Sequence, residues 1–164
     1  MRWRITQDDA QKRAYLVNTV DCEKVDHGLQ KGQCASHMSV LGIGVDLVEC
    51  ARIERSLDRF GEKFLRRVFT EGEIEYSMSM KFPARHLAAR FAGKEAVSKA
   101  FGTGIGKAMG WRNIDIRKKK SGEPFLVFSG PAQELATKRG VTSALITLSH
   151  TDRHAMACVV LETT

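Results

Sequence analysis

Glu95 and Lys99 lie four residues apart within ARHLAARFAGKEAVSKAFGTGIG, residues 84–106. On a helix that spacing sends a carboxylate and an ammonium out of the same side. Immediately afterwards, Gly102-Thr103-Gly104-Ile105-Gly106 supplies backbone that a ligand can approach closely. A carboxylate, an ammonium and exposed amides in one place suit a phosphorylated ligand carrying a divalent metal. A second acid, Asp46, interrupts the apolar run SVLGIGVDLV of residues 39–48. A carboxylate inside a hydrophobic strand is costly unless it is paired or holds a metal. Magnesium is commonly held by one or two protein carboxylates, with waters and substrate phosphates completing its octahedron, and Asp46 with Glu95 fits that pattern. Plainer roles stay open. Asp46 could cap the helix that follows it, and the glycines could form only a helix C-cap and turn. Glu95 and Lys99 could be an exposed ion pair worth about 0.3–0.5 kcal/mol. His150, on a loop, is either structural or a phosphate contact.

Periodicity gives the elements that must position these groups. Residues 39–48 read as a buried strand in which Gly42 and Gly44 let another backbone come close. From Glu49 to Val68, the residues Ile53, Leu57, Phe60, Phe64, Leu65 and Val68 form a helical apolar stripe, which Gly61 bends or divides. The other face carries Arg52, Arg55, Arg59, Lys63, Arg66 and Arg67, as a solvated surface or as a docking face for an acidic protein. Thr70-Glu71-Gly72-Glu73 has the form of a capping box and predicts a short helix to about Met78. Pro83 opens the central helix, whose Leu87, Phe91, Ala92, Ala96 and Ala100 give a face that enters a core. Ile114-Asp115-Ile116 and Phe125-Leu126-Val127-Phe128 flank the turn Ser121-Gly122-Glu123-Pro124 and read as a hairpin. Gly130-Pro131 opens a further helix closed by Gly140, and strands over residues 143–148 and 155–161 end the chain. The expected class is α+β: an antiparallel sheet with one N-terminal strand, a helical middle and C-terminal strands.

A chain of 164 residues with 43% apolar content makes one domain, or one domain plus a tail. No apolar run reaches the length of a membrane span and the first residues lack a signal-peptide core, so the expected location is cytoplasmic with no membrane partner. Cysteines at 22, 34, 50 and 158 form no C-x-x-C pair and suggest neither a zinc site nor a disulfide framework. The net charge of +7 asks for an acidic partner without choosing one. Residues 1–37 are polar, mixed in charge and without a sustained period. They read as an N-terminal extension, poorly ordered or a marginal helix, with Ser36-His37-Met38 resembling a cloning remnant or an early start. The domain proper is expected over 38–164.

The strand GIGVDLVE (residues 42–49) with Arg52 after it, the helix RFAGKEAVSKAFGTGIG (90–106) and the late TLSHT (147–151) together resemble holo-[acyl-carrier-protein] synthase. This is the short stand-alone class of 4′-phosphopantetheinyl transferases. The resemblance covers about residues 38–162 and implies that class's fold. It implies transfer of the 4′-phosphopantetheine arm of coenzyme A to a serine of an acidic apo acyl carrier protein, with release of adenosine 3′,5′-bisphosphate. By the same resemblance Asp46 and Glu95 are magnesium ligands and Lys99 lies beside the diphosphate. Arg90, the segment with Gly102, Thr103 and Gly104, and Ser149 with His150 contribute to the coenzyme A pocket. Arg52, and with it Arg55 and Arg59, falls where the family presents a basic helix to its carrier. The family is typically homotrimeric, with each site at a subunit boundary, and serves fatty-acid or polyketide carriers.

Two other classes compete. A nucleic-acid-binding module accounts for the charge, but only 7% of the chain is aromatic and the basic residues are not interleaved with stacking rings. A magnesium-dependent hydrolase of nucleoside diphosphates uses Asp46, Glu95 and Lys99 but leaves the basic helix without a task.

Overall fold

The structure, a computed structural model, describes residues 2–8, 13–19 and 39–164. Strands β1 (Arg2–Asp8) and β2 (Arg13–Thr19) pair antiparallel, where the sequence suggested an unpatterned extension or a marginal helix. The Ser36-His37-Met38 junction, Cys22 and Cys34 lie outside the described residues. The domain then runs β3 (Ser39–Glu49), α1 (Cys50–Val68), α2 (Glu71–Met78), α3 (Pro83–Ala100), β4 (Ile114–Lys118), β5 (Pro124–Phe128), α4 (Gly130–Lys138), β6 (Val141–His150) and β7 (His154–Thr163). This is the expected α+β order. No helix among the described residues is long and apolar enough to cross a membrane.

The main sheet is antiparallel, in the order β3-β7-β6, so the early strand joins the two late ones as the alternation required. Strands β4 and β5 make a separate two-stranded hairpin. Pairing sets Asp46 opposite Ala157, and Leu47 opposite Met156. Along β3, the period of two sends Gly44 and Val48 inward, both buried, with Gly42 and Asp46 half-buried on the same side. Ile43, Val45 and Leu47 alternate with them and remain 62%, 47% and 62% exposed.

Helix α3 lies across the inner face of the sheet. The sequence assigned it one apolar face; the structure buries it almost all round, including Ala84, Leu87, Ala88, Ala92, Ala96 and Val97. It is packed against β3, β6 and β7 on one side and against α1, α2 and β4 on the others. Alanines at most of these positions leave room for backbones to approach. The approach is closest at β3. A Cβ on Gly42 would stand 2.1 Å from the Ala100 carbonyl oxygen, and one on Gly44 would stand 1.9 Å from that of Ala96. No side chain fits there without moving a strand off the helix. The sequence expectation of close backbone contact is met at both glycines.

The amphipathic α1 is broken where expected. Gly61 has φ 49° and ψ −129°, a conformation open to glycine and strained for other residues. The capping box at α2 is also present, with the Thr70 hydroxyl accepting from the Glu73 amide (3.4 Å) and the Glu73 carboxylate accepting from the Thr70 amide (2.8 Å).

Candidate active site

The close approach of β3 to α3 brings Asp46 to Lys99. Lys99 Nζ donates to Asp46 Oδ1 at 2.8 Å and to the Val45 carbonyl at 3.0 Å. Asp46 therefore does not cap α1. The N-cap of that helix is Glu49, which makes no side-chain capping bond, and the Cys50 amide is held by the Arg153 carbonyl at 2.8 Å. Nor is there an ion pair between Glu95 and Lys99, because Lys99 turns to the strand instead. Glu95 is half-buried one helical turn before Lys99. Burial, and next the negative charge of Asp46, push the Glu95 carboxyl above the usual carboxylate range; Lys99 and Arg52 pull the other way. Two carboxylates thus repel each other across a strand and a helix, with two cations beside them.

This donor set suits a hard divalent cation. It offers carboxylate oxygens with no imidazole or thiolate, and mutual repulsion that a shared cation would relieve. Among the described residues no group of three or more His, Cys, Asp or Glu side chains is placed to hold a metal. A cation on Asp46 and Glu95 would therefore take most of its ligands from water or substrate, as magnesium does.

The glycine-rich segment starts as a helix end. The Gly102 amide donates to the Lys99 carbonyl (2.9 Å) and the Thr103 amide to that of Ser98 (3.1 Å), so both are committed to closing α3. Gly102 and Gly104 both have positive φ, 65° and 64°. The C-cap reading holds for the first two amides.

A second group of predicted residues meets at the other end of α3. Arg90, 5% exposed, and His150 line a cleft of about 180 Å³ with Tyr76, His86, Arg117 and Lys118, and no carboxylate is part of its wall. Arg90 lies over the Tyr76 ring at 4.1 Å, and its Nε, although buried, has no hydrogen-bond partner among the described residues. Burial is the main influence that lowers the basicity of this guanidinium. His150 is stacked edge-on against His86, with ring centroids 5.1 Å apart. Ser149 does not share the cleft: it precedes His150 on β6 and projects from the opposite, outer face, beside Met156.

Sequence reasoning missed a buried ion pair between these two groups. Lys94 Nζ lies 2.7 Å from Glu73 Oε2, and both side chains are fully buried. Lys94 also donates to the carbonyls of Trp111 (2.8 Å) and Ile114 (2.6 Å), while Glu73 Oε1 accepts from the Ile116 amide (3.0 Å). The capping box located Glu73 correctly but carried no sign of this second partner. His86, Tyr76, Arg117 and Lys118 were also missed. The only available signal was the four-residue spacing of His86 and Arg90.

On α1, Arg52, Arg55 and Arg59 are all exposed and form no salt bridge among the described residues, whereas Arg66 is held by Glu62 and Glu71. Arg52 reaches over the Phe91 ring of α3 at 5.9 Å, which sets it beside the Glu95 end of the site.

The chain has well-matched relatives among known proteins. The family described as the 4′-phosphopantetheinyl transferase superfamily matches residues 42–159. Holo-[acyl-carrier-protein] synthase of Koribacter versatilis is 42% identical over 123 residues, which are 75% of this chain and 98% of that protein. The crystal structure of the Neisseria meningitidis synthase superposes with a TM-score of 0.72 at 34% identity, over 76% of this chain and 100% of that one. The Bacillus anthracis synthase, solved in complex with CoA (3′,5′-ADP), superposes with a TM-score of 0.65 at 36% identity, over 78% and 100%. Fold, motif order and these likenesses agree: the chain belongs to the holo-[acyl-carrier-protein] synthases, transferases of the 4′-phosphopantetheinyl transferase superfamily.

Proposed function

We propose that this transferase moves 4′-phosphopantetheine from coenzyme A to a serine of an acidic apo acyl carrier protein, uses magnesium, and releases adenosine 3′,5′-bisphosphate. The observation that carries the reading is the meeting of Asp46, Glu95 and Lys99 across the β3–α3 contact. Asp46 and Glu95 would hold the cation. Bound there, it supplies charge neutralisation and orientation for the diphosphate oxygens, which is most of what phosphoryl transfer demands.

Lys99, half exposed beside Asp46, is placed to take up negative charge on the departing bisphosphate. Glu95, directly or through a metal-held water, would accept the serine proton. Near-normal turnover of Glu95→Gln at saturating magnesium would remove that role. The carboxylate-free cleft of Arg90 and His150 supports a site for the phosphorylated adenosine end of coenzyme A, with the Gly102–Gly104 turn bordering the diphosphate. Arg52, Arg55 and Arg59, exposed and without a salt bridge among the described residues, support electrostatic steering of the acidic carrier, so added salt is expected to weaken carrier binding more than coenzyme A binding.

A homotrimer with sites at subunit boundaries accounts for the outer face of the sheet. Ile43, Val45, Leu47 and Met156 there are 41–62% exposed, with Met156 opposite Leu47 in register, a row of apolar side chains that a neighbouring subunit would cover. Sedimentation equilibrium reads the subunit number. We place the enzyme in the cytoplasm, a compartment that keeps free thiols such as Cys50 and Cys158 reduced. The deciding experiment is the intact mass of an apo carrier incubated with coenzyme A and magnesium. Addition of the phosphopantetheine mass is expected, with Asp46→Ala and Glu95→Ala inactive; an unchanged carrier mass with the intact protein sinks the reading.

A further inference from the structure

His86 has no assigned task, yet it occupies the middle of the basic cleft. Its ring stands edge-on between Tyr76 of α2 and His150 of β6, with centroids 5.8 Å and 5.1 Å away. Its carbonyl accepts from Arg90 Nη1 at 3.3 Å, which ties it to the next turn of α3. The charges facing it are Arg85 and Arg90 from its own helix, Arg117 and Lys118 from β4, and His150 from β6. Two of these cations have an acid partner, Arg85 with Asp152 at 2.6 Å and Arg117 with Asp115 at 2.7 Å, and Glu73 holds Lys94; Arg90 and Lys118 form no salt bridge among the described residues. Burial first, and then these cations, hold the basicity of His86 below that of a free imidazole. The ring is thereby biased towards its neutral form, inside a cleft whose Arg90 and Lys118 form no salt bridge among the described residues. A dianion entering that pocket reverses the field that the ring experiences.

We propose that His86 makes this cleft selective for a phosphate monoester, by taking up a proton as the monoester enters and becoming an additional donor to it. The inference rests on the reading above, in which the cleft receives the adenosine end of coenzyme A; the 3′-phosphate is then the monoester. The proton comes from solvent, and no bond of coenzyme A is made or broken. The sign follows from linkage. His86 binds protons more weakly in the free cleft than in the filled one, so coenzyme A binds more tightly as pH falls between those two values. A phosphate monoester, with its own second pKa near ~6, instead gives up proton on entering a cationic site. Removing the His86 ring nitrogens separates the two contributions.

The test is calorimetric titration of the full chain with coenzyme A and with dephospho-coenzyme A, which lacks the 3′-phosphate. It is run at neutral pH in two buffers of different ionisation enthalpy, on the unmodified protein, His86→Phe and His86→Gln. The unmodified protein is expected to take up more proton with coenzyme A than either variant does. The variants should bind coenzyme A roughly fivefold more weakly, the loss of one charge-assisted hydrogen bond in a half-exposed site. Their affinity for dephospho-coenzyme A should stay within about twofold of the unmodified protein, since the lost bond goes to the 3′-phosphate alone. Far-ultraviolet circular dichroism checks the fold, and the glutamine variant carries the comparison if phenylalanine perturbs packing. Unchanged proton uptake and an unchanged ratio of the two affinities in a folded variant overturn the role of His86 and leave the transferase reading standing. Failure of the unmodified protein to bind coenzyme A overturns both.

Discussion

Helix α3 presents two lysines five positions apart, and each meets a carboxylate at nearly the same distance: Lys94 to Glu73 at 2.7 Å, Lys99 to Asp46 at 2.8 Å. The first pair is sealed, 0% exposed on both sides, and its remaining hydrogen-bonding capacity is met by carbonyls and amides of neighbouring elements. The second is open, with Lys99 50% exposed and Asp46 15%. A sealed pair cannot change partners without unfolding its surroundings, so it fixes α2 and β4 to the helix. An open pair keeps hydration and can exchange a partner for a ligand at small cost. A lysine–carboxylate pair is thus sealed for rigidity at one point of α3 and left open to a ligand at another.

Removing one member of each pair should separate these tasks. Lys94→Met leaves Glu73 charged and buried and is expected to cost about 3–5 kcal/mol of stability in denaturant unfolding. A loss no greater than that of Lys99→Met would erase the distinction. Lys99→Met should shift stability by less than about 1 kcal/mol, yet lower carrier modification by roughly 10²–10³-fold, the scale for loss of a donor to developing charge. Gly44→Ala acts on the contact that assembles the open pair. Its new methyl must displace the Ala96 carbonyl, at a cost of about 1–3 kcal/mol with turnover falling alongside.

The smallest effect concerns Glu95. A carboxyl of raised basicity contributes stability below its unfolded pKa and loses it as pH rises through its folded value, so ionised Glu95 is unfavourable in the metal-free protein at pH 7. Glu95→Gln should therefore raise the metal-free melting temperature at pH 7 by about 1–2 °C, a fraction of a kcal/mol for a domain of this size. The difference should vanish near pH ~4, where the native carboxyl is protonated. Added magnesium should narrow it at pH 7 by stabilising only the unmodified protein.

Features set by local chemistry were legible in the sequence, and features set by distant partners were not. Gly61 announced a break in α1, and Thr70 with Glu73 a capping box, each because the conformation lies within a few residues of its cause; Gly42 and Gly44 announced a close approach by lacking a side chain, but not that Ala100 and Ala96 make it. The direction taken by Asp46 depends on a lysine 53 positions later, so strand periodicity left a cap and a ligand equally open. The burial of Glu73 and Lys94 needs β4 and the turn before it, neither of which leaves a mark on α2 or α3. Ser149 and His150 were grouped as neighbours in sequence, and the strand that contains them sends them to opposite faces. The β1–β2 hairpin went unread because Ala14 to Val17 form an unbroken apolar run and Trp3 and Ile5 alternate over too short a stretch to set a period.

The two faces of β3 have opposite requirements. Its inward row ends at Asp46 and Val48 and its outward row is Ile43, Val45 and Leu47, so a shift of a single residue against β7 exchanges the rows. Val45 would then be driven into the Ala96 carbonyl, and the carboxylate would be turned out onto an oily surface. Mispairing at this strand is therefore not a subtle defect that leaves a folded but idle enzyme. Threading errors and loss of catalytic competence coincide, and a population that passes a folding assay should contain very few impostors.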